Sequence, residues 1–179
     1  MNLMKKRILS VLCAALLVLS TAACGGGKDN APAGGDSADA GQPAAPASAM
    51  SKEDYLASVD GLTDGMTAFA AASAEFVSAG LTNAEDTDAL NASIEKIRET
   101  KQVFIDFSAI ANPAEGYEDT HTALVTNCGE FADLVDEYCD ILAGAMSGQD
   151  TTSNTDIQTR MEAVVTALGE SIATAQADG

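Results

Sequence analysis

Apolar side chains recur at alternating steps of three and four residues along the chain from residue 51 onward. The first of four such runs, with one polar member, consists of Tyr55, Val59, Leu62, Met66, Phe69, Ser73 and Phe76. This spacing places the side chains on one face of an α-helix, whereas a strand would need apolar residues at every second position. Three similar runs span residues 90–111, 121–145 and 157–175. Because Pro113 is the only proline after residue 50, the sequence predicts an all-α domain over residues 51–179.

Four amphipathic helices joined by short loops are typical of an antiparallel up-down four-helix bundle, which is the fold that we expect. The first helix should begin after Ser51, because Asp54 three residues later completes a pattern close to a capping box. Gly80 is the expected end of that helix, Pro113 ends the second helix, and Gly148 follows the third. Four glycines inside the predicted helices argue against perfect helical continuity: Gly61, Gly65, Gly129 and Gly144.

The first 24 residues have the pattern of a secretory signal. A basic patch at residues 5–7 precedes an apolar run of 16 residues, from Ile8 to Ala23. That run is shorter than the roughly 20 residues that a membrane-spanning helix needs. A positive segment, a short apolar run and small residues before a break together indicate a signal peptide over residues 1–23. An uncleaved membrane anchor is the alternative, and both interpretations place the rest of the chain outside the cytoplasmic membrane.

The tetrad Thr21-Ala22-Ala23-Cys24 at the end of this segment resembles the lipobox of bacterial lipoprotein precursors, although Thr21 stands where leucine is commonest. The resemblance implies that Cys24 receives a diacylglycerol thioether and becomes the mature N-terminus. The chain would then be lipid-anchored at the extracytoplasmic face of the cell membrane. The segment from Asn112 to His121, with the helix after it, also resembles small uncharacterised lipoproteins of Gram-positive bacteria, which implies no known activity.

Residues 24–50 are predicted to be the lipidated cysteine and a flexible linker. The 26 residues after Cys24 contain 6 Gly, 3 Pro and 8 Ala, and they contain no Val, Ile, Leu, Phe or Tyr. Such a composition cannot bury enough apolar surface to offset the entropy cost of ordering. A coil of this length has an r.m.s. span of about 28 Å, which would keep the domain close to the membrane surface.

The charge of the chain excludes one class of partner. The sequence has 27 acidic and 9 basic residues, and three of the basic residues belong to the predicted signal. The mature chain from Cys24 therefore carries 6 basic and 27 acidic side chains, a net charge of -21. Nucleic acid is itself a dense array of negative charge, so we expect no nucleic-acid partner. The same charge disfavours direct binding to anionic lipid.

Glu118 and His121 form a Glu-x-x-His pair, which in four-helix bundles is an element of carboxylate-bridged di-iron sites. Such a site needs a second copy on another helix, and His121 is the only histidine in the chain. Glu118 more plausibly begins the third helix, where a carboxylate suits the positive end of the helix dipole. We therefore predict no cofactor and no metal site. A metal or small ligand held by Glu118, His121 and Cys128 is the weaker alternative.

Two further features of the third helix allow a structural and a functional interpretation. Cys128 and Cys139 lie about 16 Å apart along a helix, too far for a mutual disulfide. Both are expected to be buried small hydrophobes, with an intermolecular disulfide or a thiol ligand as alternatives. The opposite face carries five carboxylates: Glu130, Asp133, Asp136, Glu137 and Asp140. The first interpretation is a solvated surface, and the second is a docking site for a basic partner or a weak cation-binding surface.

The second helix is apolar over more than one face, because Val103, Phe107 and Ile110 lie beside its main stripe. Burial is the first interpretation, but any partner surface is predicted at this end of the bundle, with Tyr117 as its fourth member. No nucleophile elbow, phosphate loop or cofactor motif occurs in the sequence. We therefore expect a non-enzymatic interaction or adaptor module at the cell envelope, with an envelope protein as its partner. A small-ligand- or metal-binding bundle is the alternative.

Overall fold

The structure is a computed structural model, and it describes residues 49–149 and 154–178. Five helices account for most of these residues: α1 (Lys52–Thr82), α2 (Thr87–Glu99), α3 (Gln102–Ser108), α4 (Glu118–Met146) and α5 (Asn154–Ala177). No strand occurs within the two ranges, so the prediction of an all-α domain is confirmed for them. The predicted signal peptide (1–23), the lipidation site at Cys24 and most of the predicted linker (24–50) lie outside the described residues.

The helices pack in a ring around one apolar core. Helix α1 contacts α2, α3 and α5, and α4 contacts the same three helices. Each of α1, α3 and α4 contributes a phenylalanine ring to the centre, where Phe131 lies 5.4 Å from Phe69 and 4.5 Å from Phe104 between ring centroids. Aromatic contacts at these distances add to the stabilisation that burial alone provides. Every member of the first apolar run is buried, Ser73 included, because the period of the sequence matches the helix.

The ends of the helices follow local capping chemistry. The Ser51 hydroxyl accepts a hydrogen bond from the backbone N–H of Asp54 at 3.1 Å, which confirms the predicted start of α1. Helix α1 passes through Gly80 and ends at Thr82, two residues later than the glycine predicted. Gly148 closes α4 with a φ of 85°, a left-handed conformation that glycine adopts at little cost.

The second predicted helix is not continuous, which corrects the expectation of one helix over residues 90–111. A tight turn at Thr100 and Lys101 separates α2 from α3. The Thr100 hydroxyl and backbone N–H both donate to the Ile97 carbonyl, at 2.6 and 3.1 Å, and so compete with regular helical bonding. The three-and-four spacing continues through the turn because the residues in it keep right-handed helical angles.

Close approach of α3 to α1 explains one of the helical glycines. A Cβ atom added at Gly65 would overlap Cγ1 of Val103 and lie 3.1 Å from the Phe104 ring. By contrast, a Cβ at Gly129 in α4 would meet nothing within 4 Å. The two glycines therefore have different roles, although both lie inside continuous helices.

Alanine at these two positions is expected to change stability in opposite directions. Gly129→Ala should raise the free energy of unfolding by about 0.5–1 kcal/mol, because alanine loses less backbone entropy in a helix. Gly65→Ala should lower it by about 1–2 kcal/mol, because overpacking against α3 outweighs that gain. Urea unfolding of the mature chain measures both. Adding Val103→Ala to Gly65→Ala should recover part of the loss, and a stabilising Gly65→Ala would show that α3 does not approach α1 this closely.

Candidate functional site

The predicted partner surface and the predicted metal alternative meet in one aromatic cluster, formed by Tyr55, Phe107, Tyr117 and His121. Ring centroids lie 4.9 Å apart for Tyr55 and Tyr117, and 5.3 Å apart for Phe107 and His121. Helix α1 supplies Tyr55, α3 supplies Phe107, and α4 supplies His121 in its first turn. The cluster is thus a junction of three helices and the loop before α4.

Both ring nitrogens of His121 have partners within the chain. Nε2 lies 2.9 Å from the Ile110 carbonyl oxygen, and Nδ1 lies 3.4 Å from the Tyr55 hydroxyl. The tautomer with its proton on Nε2 fits both contacts, because Nε2–H then donates to the carbonyl and Nδ1 accepts from the hydroxyl. Burial, with smaller contributions from Tyr117 and Cys128, raises the pKa of Tyr55 to about 12, so this hydroxyl keeps its proton as a donor. His121 therefore fastens the loop before α4 to the core.

Glu118 and His121, the pair of the metal alternative, each have hydrogen-bond partners within the chain. A Glu118 carboxylate oxygen accepts a hydrogen bond from the Gly116 backbone N–H at 3.1 Å, next to the start of α4. No group of three or more His, Cys, Asp or Glu side chains suited to a metal occurs within residues 49–149 and 154–178. A metal or small ligand held by Glu118, His121 and Cys128 stays a prediction.

The four residues of the predicted partner surface are mostly covered by the chain itself. Phe107 and Tyr117 are each only 3% exposed, and Val103 and Ile110 are half-buried. The burial of the Phe107 ring agrees with the first interpretation of this apolar stretch, and both rings pack into the aromatic cluster. A partner at this end of the bundle stays a prediction that other side chains would have to support. Gly65 is the residue whose importance the sequence analysis missed. Because it has no side chain, α1 leaves space at this position for Val103 of α3.

Both cysteines of α4 are free thiols inside the core. Burial raises the pKa of Cys128 and of Cys139 to about 12, so that neither is a thiolate near neutral pH. The Cys139 thiol also donates to the Ile94 carbonyl, with 3.6 Å between sulfur and oxygen. The interpretation as buried small hydrophobes agrees with these positions.

The acidic face of α4 is partly a helix–helix contact and only partly a solvated surface. Asp136 accepts hydrogen bonds from Arg98, at 2.8 Å, and from Lys101. Arg98 also reaches Asp140 at 3.0 Å, and through these pairs the α2–α3 turn is fastened to α4. Elsewhere on this face Glu137 pairs with Arg160 of α5 at 2.8 Å. The sequence did not reveal these pairs because their partners lie on other helices.

Every basic side chain among the described residues contacts a different helix or the end of one. In addition to the three cations that pair with carboxylates of α4, Lys96 pairs with Glu75 of α1 at 2.8 Å. Lys52 donates to the Asp178 carbonyl at 3.2 Å, and its ammonium lies 5.8 Å from the centroid of the Tyr117 ring. These positive charges are therefore paired with acceptors of the chain itself. The remaining carboxylates leave the outer surface strongly acidic.

A surface depression of about 420 Å³ lies beside the turn between α2 and α3. Its lining mixes both signs of charge: Glu95, Arg98, Glu99, Lys101 and Gln102. Because Arg98 and Lys101 are already paired with Asp136, the depression does not offer an unneutralised cation to an anionic ligand.

The ion pairs of Asp136 predict a pH-dependent contribution to stability. Hydrogen bonds from Lys101 and Arg98 hold the pKa of Asp136 below its ordinary value of 3.8, against partial burial. A folded-state pKa below the unfolded value stabilises the fold above about pH 4, and this contribution is lost as pH falls through the folded value. Asp136→Asn should therefore lower the free energy of unfolding by about 0.5–1.5 kcal/mol at pH 7, since the group is more than one-third exposed.

Asp133→Asn is the matched control for this prediction, because it removes the same charge from an exposed position one turn earlier in α4. Urea unfolding of both variants should show the deficit of Asp136→Asn at pH 7 and its decrease as the pH falls below about 4. Equal effects of the two substitutions at pH 7 would mean that the pairs of Asp136 contribute nothing beyond bulk charge.

Comparison of the chain with protein-family models, curated proteins and solved structures finds no match. Within the residues that the structure describes, none of the helices combines the length and the apolar character that crossing a bilayer requires. Any functional conclusion therefore rests on the residues and contacts described above.

Proposed function

We propose that the chain is a lipid-anchored, non-enzymatic helical bundle that acts as an interaction or adaptor module at the extracytoplasmic face of the cell membrane. The observation that carries this proposal is the internal use of its chemically active side chains. His121, the buried cysteines and the basic residues all bind within the bundle. What the bundle offers to other molecules is an outer surface of carboxylates on a helical scaffold. A partner with a basic contact surface fits that charge.

The up-down order of the helices belongs to the same proposal. Contacts between α4 and α5 join Asn127 to Ser171 and Glu137 to Arg160, so that residue numbers rise along one helix as they fall along the other. Between α1 and α2, Glu75 near the end of α1 pairs with Lys96, which lies a similar distance after the start of α2, as expected for two helices joined by a short turn. These pairs support an antiparallel arrangement in which α1, the α2–α3 segment, α4 and α5 reverse direction in turn.

The lipid anchor rests on the sequence alone. The basic patch, the 16-residue apolar run and the tetrad ending at Cys24 together support cleavage of residues 1–23 and lipidation of Cys24. Two acyl chains on one cysteine suffice for stable anchoring, since a single chain binds membranes only reversibly.

Photo-cross-linking in living cells tests the interaction module. A photoreactive residue at Glu130, on the exposed part of the acidic face, should give a discrete adduct with one envelope protein. A photoreactive residue at Thr166, exposed on α5, is the matched control position. Charge reversal by Asp133→Lys beside the probe should abolish the adduct if a basic partner docks there. An adduct that survives this reversal would contradict docking of a basic partner, and the absence of an adduct at Glu130 in cells that contain the anchored protein would contradict the interaction module.

A further inference from the structure

The predicted linker joins the bundle at an end that also carries several exposed carboxylates. We call this the tether end; it consists of the first turn of α1, residues 109–117, the first turn of α4 and the end of α5. The backbone N–H of Met50 donates to the Asn112 carbonyl at 3.1 Å, which fixes the junction against the loop before α4. Lys52 then reaches the Asp178 carbonyl, so the end of α5 lies at the same place.

The charge at the tether end is strongly negative. Six carboxylates are exposed there: Glu53, Asp54, Glu115, Glu118, Asp119 and Asp178. Among the described residues, Lys52 is the one cation at this end, and it is held between the Tyr117 ring and the end of α5. Two helices begin and two end here, so their dipoles largely cancel and leave the side chains to set the potential.

From these positions we infer that the tether end faces the membrane as an acidic spacer, which keeps the bundle off an anionic lipid surface. The inference rests on the proposed anchor at Cys24. A bundle tethered through Met50 turns this end toward the lipid on average if the predicted linker has the span of about 28 Å that is expected for a coil of its length. Repulsion between carboxylates and anionic headgroups acts within about one Debye length, near 10 Å at 0.1 M salt.

The opposite end is thereby displayed away from the membrane. It contains the turn between α1 and α2, together with Leu81, which at 59% exposed is the more exposed of two large apolar side chains that stand out among the described residues. The spacer thus separates the lipid from this opposite end of the bundle.

Energy transfer between a labelled chain and labelled vesicles tests the spacer. The lipidated mature protein is labelled with maleimide at a single introduced thiol, Ala111→Cys at the tether end or Ala89→Cys at the opposite end; both alanines are exposed. Cys128 and Cys139 do not compete, because both are buried and protonated. The vesicles are phosphatidylcholine with an acceptor lipid, with or without phosphatidylglycerol.

We expect more transfer from the label at residue 111 than from the label at residue 89. Adding phosphatidylglycerol should lower the transfer from residue 111, and about 1 M salt should restore it, since the Debye length is then near 3 Å. Glu115→Gln with Asp119→Asn removes two of the six carboxylates and should weaken the lipid effect by making close approach about tenfold more frequent. Glu85→Gln with Asp88→Asn, one loop and one first-turn carboxylate at the opposite end, should leave it unchanged.

Each failure has a different meaning. Equal transfer from the two labels would overturn the orientation, and an unchanged or increased signal with phosphatidylglycerol would overturn the spacer, while the anchor stands in both cases. If the protein does not float with either kind of vesicle, the anchor at Cys24 is wrong, and the spacer falls with it.

Discussion

Replacing Cys24 by alanine is expected to abolish incorporation of labelled palmitate into the protein. The tetrad that ends at Cys24 offers one thiol directly after small residues, and without it no sulfur remains at that place for a thioether. The effect should be complete and not graded, because the modification forms on a single atom. Metabolic labelling followed by gel electrophoresis measures it.

Cys13→Ala is the matched control for Cys24→Ala. Cys13 lies inside the apolar run, and cleavage after Ala23 would remove it from the mature chain. We therefore expect full labelling of this variant and a product of unchanged mass. Labelling that persists in Cys24→Ala would show that the lipobox interpretation is wrong. An uncleaved anchor, by contrast, would leave the wild-type protein in the membrane with no palmitate at all.

The helical fold of the described residues can be predicted from the spacing of the apolar side chains, because that spacing shows which face of each helix is buried. The first run places Tyr55, Val59 and Leu62 on the core side, and all three are fully buried. The break at Thr100 is invisible to the same reasoning, since the tight turn keeps helical angles and does not shift the period. The Thr100 hydroxyl bonds to the Ile97 carbonyl within the turn, and the helix that follows packs against α1 at Gly65, a contact that depends on another helix.

The candidate sites were predicted less well than the fold, because their geometry joins elements that are distant in sequence. His121 was identified as a chemically interesting residue, but the Ile110 carbonyl and the Tyr55 hydroxyl that occupy its ring nitrogens come from other elements. Likewise the five carboxylates of α4 suggested a solvated face, whereas Asp136 is paired with cations of the α2–α3 turn. The sequence supplies the residue types, and only the packing decides whether a nitrogen or a carboxylate is available to a partner.

The largest loss of stability from a single truncation is expected for Phe131→Ala. The Phe131 ring is fully buried and contacts Phe69 of α1 and Phe104 of α3, so that it joins three helices at one point. Deleting it removes both ring contacts and leaves a cavity that three rigid helices cannot fill by small shifts. The free energy of unfolding should fall by about 3–5 kcal/mol, measured by urea unfolding of the mature chain.

Two further variants separate the cavity from the general effect of losing an apolar side chain. Phe131→Leu keeps most of the volume and should cost no more than about 1.5 kcal/mol. Leu81→Ala truncates a side chain that is 59% exposed and should stay within about 0.5 kcal/mol of the parent. A domain of this size has about 5–15 kcal/mol of stability, so Phe131→Ala removes a large share of it. If Phe131→Ala and Leu81→Ala cost the same, the three helices do not meet at Phe131.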